Sequence, residues 1–436
     1  MQPSREKFSS KFLTIIVMVG AAVGLGNVWR FPYMMGANGG GTFLLFYIIF
    51  TALIAIPAMT GELTLGRNTR SGSIKAFETA MGNRFGQYIG WLMVACYMIS
   101  SSAYLVILGN LLYASIFAGT TGFNACSTPE YEASLANGWM QYTFAVTVLL
   151  GTLFIVYLGV VKGIERVSKI IVPLFSAVLL YLVVYTFLLE GATDYMVEFL
   201  KPDWSKVNSD LIFAALGQAF FSLGLGGTIM VIYGSYMSKE ENIINTATST
   251  ALFDGGAALM ATFFIVPTVL IFGLNMSQGP TLLFYTLPQA FAVLPGGRII
   301  GAVFLLALFL VAFLSIVATV EAVVGSISER LKGENSRKKI ILALLIVEVP
   351  MIIPSAHDPD FIGKVDLYFG SGMQIFGSGL AVLVITRFLS KFDFLHEVFG
   401  SVTMKCHQHY YLWIRTAVPI TIFIVLATYL WSQFTA

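Results

Sequence analysis

The sequence predicts an all-α membrane protein: one bundle of about eleven transmembrane helices, the first and sixth of them unwound at mid-membrane. Three observations predict it. Of the 436 residues, 57% are hydrophobic and 11% charged, where a soluble domain carries roughly one-quarter charged residues, and the mean hydropathy is +0.81. Apolar stretches of about twenty residues, the length that crosses a hydrocarbon core, recur along the whole chain. Two of those stretches contain glycine clusters, which disfavour a continuous helix.

Taken in order, the spans fall near 11–36, 41–66, 87–118, 139–158, 166–190, 210–237, 241–273, 298–330, 337–355, 366–390 and 410–432. Connections are short except near 118–138, 190–209 and 274–297, and no linker or low-complexity tract divides the chain, so residues 1–436 are expected to form one domain. The first ten residues are polar and charged, and the stretch after them is too long and too interrupted for a cleaved leader. With the N-terminus cytoplasmic, 19 of the 25 Lys and Arg lie on the inside and only Lys201, Lys206, Arg298 and Lys364 lie outside. Cytoplasmic loops are the ones enriched in these residues. An odd number of spans then puts the C-terminus outside, and the chain is expected in the cell inner (plasma) membrane. The net charge of +2 reflects this topology and does not point to nucleic acid. Cys96, Cys126 and Cys406 stand far apart and predict no disulfide framework.

Gly24-Leu25-Gly26 interrupts the first span and Gly224-Leu225-Gly226-Gly227 the sixth, five spans later. An odd spacing inserts the two halves with opposite topology, so 11–190 (helices 1–5) and 210–390 (helices 6–10) read as inverted repeats, with 410–432 an additional helix 11. Broken helices at matching positions of such repeats mark a binding site between them, because unwound backbone at membrane depth is tolerated only against protein or water. Close helix packing through small residues is the alternative for either cluster alone; two clusters in register weaken it.

Several motifs surround these breaks: Ala22-Val23-Gly24-Leu25-Gly26-Asn27 with Arg30-Phe31-Pro32, Asn38-Gly39-Gly40-Gly41, Gly61-Glu62 with Gly66-Arg67, Lys162-Gly163-Ile164-Glu165-Arg166, and Gly217-Gln218-Ala219-Phe220-Phe221-Ser222-Leu223. On them the chain resembles the neurotransmitter:sodium symporter family, in its bacterial amino-acid branch, from Arg5 to about residue 390. The resemblance implies a five-plus-five inverted-repeat, leucine-transporter-like bundle that is not an enzyme. It would import a neutral amino acid with sodium by alternating access. The departure is the lack of a twelfth span. In some relatives the last spans lie at a proposed dimer contact, so a monomer is expected here and a dimer stays open.

For the substrate, the turn at Leu25-Gly26 heads a half-helix whose unpaired N–H groups and partial positive charge suit a carboxylate. By resemblance Tyr104 completes that site, Ala22 and Phe221 offer carbonyls to the amine, and Phe221 also forms an inner lid. Monoamine carriers of the family place an aspartate where this chain has Gly24, so a substrate bringing its own carboxylate is implied. The matching side-chain positions are Ala21, Ser100, Gly224, Gly227, Ala318 and Thr319, small or mildly polar, which implies a medium or large neutral amino acid, aromatic or polar. A zwitterion such as taurine, creatine or a betaine is the alternative within transport; a non-transporting sensor of the same fold and a channel are the alternatives outside it.

For sodium, the resemblance assembles a first site from the Ala22 carbonyl, Asn27, Ser222, Asp254 and the substrate carboxylate. An aspartate in the middle of a span is costly and points to function. Chloride-dependent relatives have an amide at this position, so Asp254 implies chloride-independent transport, and a further expectation is that it takes up a proton after sodium leaves. A second site matches at the Gly20, Val23 and Val311 carbonyls and at Ser315, but Leu314 stands where relatives have a hydroxyl, so one or two ions are expected. Arg30 and Asp366 resemble an outer gating pair; Arg5, Tyr236 and Glu329 resemble an inner latch. Gly163 and Pro173 resemble a motif that lets the cytoplasmic half of the fifth span unwind, and Glu62 resembles a glutamate that bonds the unwound part of the sixth. Cys406, His407 and His409 fit solvated loop residues better than a metal site, Glu321 and Glu348 receive no role, and Asn275-Met276-Ser277 is a sequon too short to carry weight.

Overall fold

The first break lies where the glycines predict it. In a computed structural model describing residues 6–82, 84–124, 126–274, 282–331, 335–400 and 404–435, Ser10 caps α1 (Lys11–Ala22), its side chain accepting the Leu13 N–H at 3.2 Å. Val23 turns extended (φ −69°, ψ 124°), and the chain resumes as a π-helical turn, Gly26–Arg30, that runs into α2 (Phe31–Ala37). The two pieces are bent by 57°. Arg5 and the Asn275-Met276-Ser277 sequon lie outside the described residues.

After the break come α3 (Gly41–Phe50), α4 (Ile56–Thr69), α5 (Ser73–Met81), α6 (Arg84–Thr120) and α7 (Ser127–Leu135). The run from Gly138 to Phe187 is 50 residues, about 75 Å as one helix against roughly 30 Å of hydrocarbon. It divides at Gly159 (φ 85°) and a π turn, Val160–Glu165, into α8 (Gly138–Gly159) and α9 (Arg166–Phe187). The second half opens with α10 (Ala192–Phe199) and α11 (Ser209–Ser222), and resumes beyond the second break with α12 (Ile229–Tyr236). Gly224 and Gly227 sit in that break at φ 62° and 72°, a region that a Cβ-bearing residue rarely enters.

The remaining helices are α13 (Ile243–Ile271), α14 (Leu287–Val293), α15 (Gly297–Ser328), α16 (Ser336–His357), α17 (Pro359–Val365), α18 (Met373–Phe388), α19 (Lys391–Phe399), α20 (Lys405–Arg415) and α21 (Ala417–Thr435). By length and apolarity eight described helices qualify as spans, nine with the bent first pair. That tally counts Gly138–Phe187 once and omits α11 and α12, each too short by itself.

The connections near 118–138 and 190–209 carry α7 and α10, which hydropathy does not reveal because both are short and rich in polar residues. Gly40 pairs with Pro202 as an isolated antiparallel bridge, and a Cβ on Gly40 would stand 1.9 Å from the Phe199 carbonyl. Sorting of α13 between lipid and core is sharp: Leu252 and Phe253 are 70% and 62% exposed, whereas Asp254 is 0% exposed. An aspartate on the buried face of a span needs partners, and those partners define the site.

Candidate substrate and ion site

The two breaks meet. Gln218 on α11 donates its side-chain N–H to the Gly26 carbonyl at 2.9 Å, and the Phe221 ring stands 2.9 Å from where a Gly26 Cβ would project. Between them lies a cavity of about 80 Å³, lined among others by Ala21, Ala22, Leu25, Gly26, Ser100, Tyr104, Phe221, Gly224 and Thr319. Two expected wall residues sit off it: the Gly227 carbonyl turns away to accept the Ser73 hydroxyl at 2.8 Å, and Ala318 is wholly enclosed in α15.

Sequence reasoning missed Tyr97, Ser101, Ile229, Ile316 and Gln374, which line the same cavity. Tyr97, Ser101 and Tyr104 follow the i, i+4, i+7 pattern of one helix face, a signal that could have found the first two. No local signal marks Gln374, which α18 brings in from far along the chain. The Tyr97 hydroxyl and the Gln374 side-chain carbonyl are buried with no hydrogen-bond partner among the described residues.

At the cavity's other end the Tyr104 hydroxyl meets the Leu25 N–H and the Ser315 side chain. A Cβ on Gly24 would lie 2.8 Å from Ser315 Oγ and 3.4 Å from Tyr104 Oη. An acidic side chain at position 24 would therefore have to displace Ser315.

Beside the first break, three helices bring oxygen ligands together. Asn27 Nδ2 donates to Asp254 Oδ1 at 2.7 Å, to the Asp254 carbonyl at 3.0 Å and to Ser222 Oγ at 3.0 Å. Ser222 Oγ donates to Asp254 Oδ2 at 2.7 Å, and Asn27 Oδ1 accepts the Gly24 N–H at 2.9 Å. All three side chains are at most 1% exposed, and Tyr47, which sequence reasoning also missed, lies buried beside Asp254 and Ser222. A carboxylate, a hydroxyl and an amide oxygen next to the freed Ala22 backbone form a donor set that suits a hard monovalent cation.

The second expected ion position is more apolar. Ser315 Oγ donates to the Val23 carbonyl at 3.3 Å, with Val311 buried one turn earlier on α15. Leu314 Cδ1 stands 2.9 Å from where a Gly20 Cβ would project, so α1 and α15 touch there through hydrocarbon.

Charged groups cluster at both ends of the pathway. The Arg30 guanidinium lies 4.4 Å from the Phe221 ring centroid, and Asp366 opens the π turn Asp366–Gly372. Its Oδ1 stands 2.7 Å from the Cβ position of Gly370, itself 3.6 Å from Ser100 Oγ.

At the opposite end, Phe8 packs edge-on to Tyr233 and Tyr236 at 5.8 Å each and donates its N–H to the Tyr236 carbonyl at 3.2 Å. The Tyr236 hydroxyl donates to Glu321 Oε1 at 2.6 Å, and Glu321 is ion-paired with Arg337. Glu321, without a role in the sequence, thus joins Tyr236 to Arg337. Glu329 Oε1 accepts the Gly72 N–H at 2.8 Å. The N-terminal segment also straps across the turn that contains Gly163: Glu6 accepts the Val160 N–H at 2.7 Å, and Ser9 donates its N–H and hydroxyl to Glu165, each at 2.7 Å. Pro173 lies inside α9, and Glu62 Oε1 accepts the Gly226 N–H at 3.0 Å, tying α4 to the second break.

Known proteins resemble this chain. The family model described as the sodium:neurotransmitter symporter family matches residues 5–137 and 132–435. The sodium-dependent transporter YhdH of Bacillus subtilis is 33% identical, over 96% of this chain and 96% of its own. A sodium-dependent transporter of Methanocaldococcus jannaschii is 32% identical over 90% of this chain and 84% of its own. The human sodium- and chloride-dependent creatine transporter 1 is 30% identical over 71% and 57%. Among solved structures, MhsT in complex with L-phenylalanine superposes with a TM-score of 0.89 at 32% identity, covering 97% of this chain and 99% of that one. With broken helices facing each other over an oxygen-lined site, and with these likenesses running nearly end to end, the chain belongs to the sodium:neurotransmitter symporter family and is a multi-pass, sodium-dependent membrane transporter, not an enzyme.

Proposed function

We propose that the protein imports a neutral amino acid with an aromatic or polar side chain, coupled to sodium at the Asn27–Ser222–Asp254 site and independent of chloride. The observation that carries this reading is the junction at Gly24: Ser315 and Tyr104 crowd the place where an acidic side chain would project, so the carboxylate at the Leu25 turn belongs to the substrate. Likeness to a protein solved with L-phenylalanine supports the same substrate class. Tyr97 and Gln374 favour a side chain with a polar tip, since a buried polar atom left unpaired costs roughly 1–3 kcal/mol.

Sodium draws the oxygens of Asn27, Ser222 and Asp254 away from one another and onto itself, and the substrate carboxylate completes the shell. Ion and cargo thereby stabilise each other. Rocking of helices around this fixed site then switches its access from one face to the other, with Arg30 and Asp366 closing one end, Tyr236, Glu321 and Glu329 the other, and the turn at Gly163 opening before Pro173.

The test is a thermal-shift screen of the purified protein against the common amino acids and taurine, creatine and betaine, each with sodium and with potassium. Stabilisation by one or more neutral amino acids in sodium alone is expected, and Tyr97→Phe should weaken hydroxyl- or amide-bearing ligands by about tenfold, the worth of one hydrogen bond. Stabilisation by the osmolytes only, or equally in potassium, would sink the proposal.

A further inference from the structure

At the end of the bundle that holds Tyr236 and Glu329, the last turn of α18, the start of α19 and one face of α20 enclose a cleft of about 610 Å³. Arg387, Lys391, Lys405, His409 and Arg415 line it together with Tyr411, and among the described residues no Asp or Glu does. Neutral groups hold two of these cations: Lys391 donates to Gln408 Oε1 at 3.4 Å, and Arg415 to the Tyr411 hydroxyl at 3.2 Å. The acids of α19 are engaged elsewhere, Asp393 with Ser390 and Glu397 with Arg67. Other arginines of this end, Arg67, Arg330 and Arg337, each have a carboxylate partner. Enrichment of cations in cytoplasmic loops accounts for their presence here, but not for their convergence on one acid-free cleft.

Apolar side chains border the cleft: Leu412 lines it, and Phe388, Phe392 and Trp413 beside it are exposed. Trp413 donates its indole N–H to the Leu53 carbonyl at 2.7 Å, fixing α20 against the span that contains α3. Arginine presents a planar fork that matches phosphate oxygens, and basic pockets at the cytoplasmic ends of spans suit lipid headgroups. We propose that this cleft binds the phosphate of an anionic phospholipid headgroup, its acyl chains running along the apolar border and its charge seated between Arg387, Lys391, Lys405 and Arg415.

The test is native mass spectrometry of the full chain released from detergent, titrated with phosphatidylglycerol or phosphatidylcholine, with and without inorganic phosphate. Wild type is expected to retain phosphatidylglycerol in preference to phosphatidylcholine. Each neutralised cation should weaken that binding about fivefold, and the triple variant Arg387→Gln/Lys391→Gln/Lys405→Gln about a hundredfold. Equal retention of the two lipids by wild type, or undiminished preference in the triple variant, overturns the site. Displacement of the lipid by millimolar phosphate overturns the lipid as the source of the phosphate. If the triple variant fails to fold, the single variant Lys405→Gln, altered at an exposed residue, carries the same comparison.

Discussion

Asp254 is a buried carboxylate whose two oxygens are each held by a hydrogen bond, from Asn27 and from Ser222. Those bonds offset part of the cost of placing a charge inside a membrane protein, and a cation held there would offset more. Uptake into proteoliposomes should therefore be unchanged when gluconate replaces chloride. Asp254→Asn should lower uptake by roughly ten- to hundredfold, the worth of a hydrogen bond to a charged group, and make the remainder chloride-dependent. Strict chloride dependence of the wild type would count against this assignment. Asn27 and Ser222 were legible within contiguous motifs and Asp254 as an aspartate in the middle of a span, whereas Tyr104 was reached through the family resemblance. Tyr97, Tyr47 and Gln374 were not, since an aromatic or amide on a span has the same local pattern whether it faces a cavity or packs in the core.

Helices enter the mechanism through their contacts, and the α1–α15 contact is where this chain departs from the family pattern. Leu314 reaches the Gly20 backbone at the place where a second cation would need a hydroxyl, so a single coupled sodium and a Hill coefficient near one are expected for uptake. Leu314→Ser should raise that coefficient toward two, while removing buried apolar packing worth about 2–3 kcal/mol and lowering the melting temperature. A wild-type coefficient already near two would show that a carbonyl or water completes the second site. The second break was readable beforehand, because positive φ at Gly224 and Gly227 is a demand that glycine meets locally. Helices α7 and α10 were not, being nine and eight residues long and so too short for hydropathy.

For the whole molecule, orientation is the property that charge asymmetry predicts and a labelling experiment can read. Cys96 is buried, whereas Cys126, just before α7, and Cys406, in the first turn of α20 and not in the loop expected from sequence, are exposed at ends expected on opposite sides of the membrane. A membrane-impermeant maleimide added to intact cells should label Cys126 and spare Cys406 until the membrane is permeabilised; the reverse pattern would invert the topology. Sequence alone determined membrane residence, the two interruptions and the residue types of the proposed ion site, because apolar length, backbone chirality and the cost of a buried charge act along a single segment. Tertiary structure decided which side chains share the cavity, that Glu321 bonds Tyr236, that Leu314 covers Gly20 and that five basic groups converge beside α20. Each of those depends on how helices are rotated and docked against one another, and no periodicity within one helix records its neighbour's rotation.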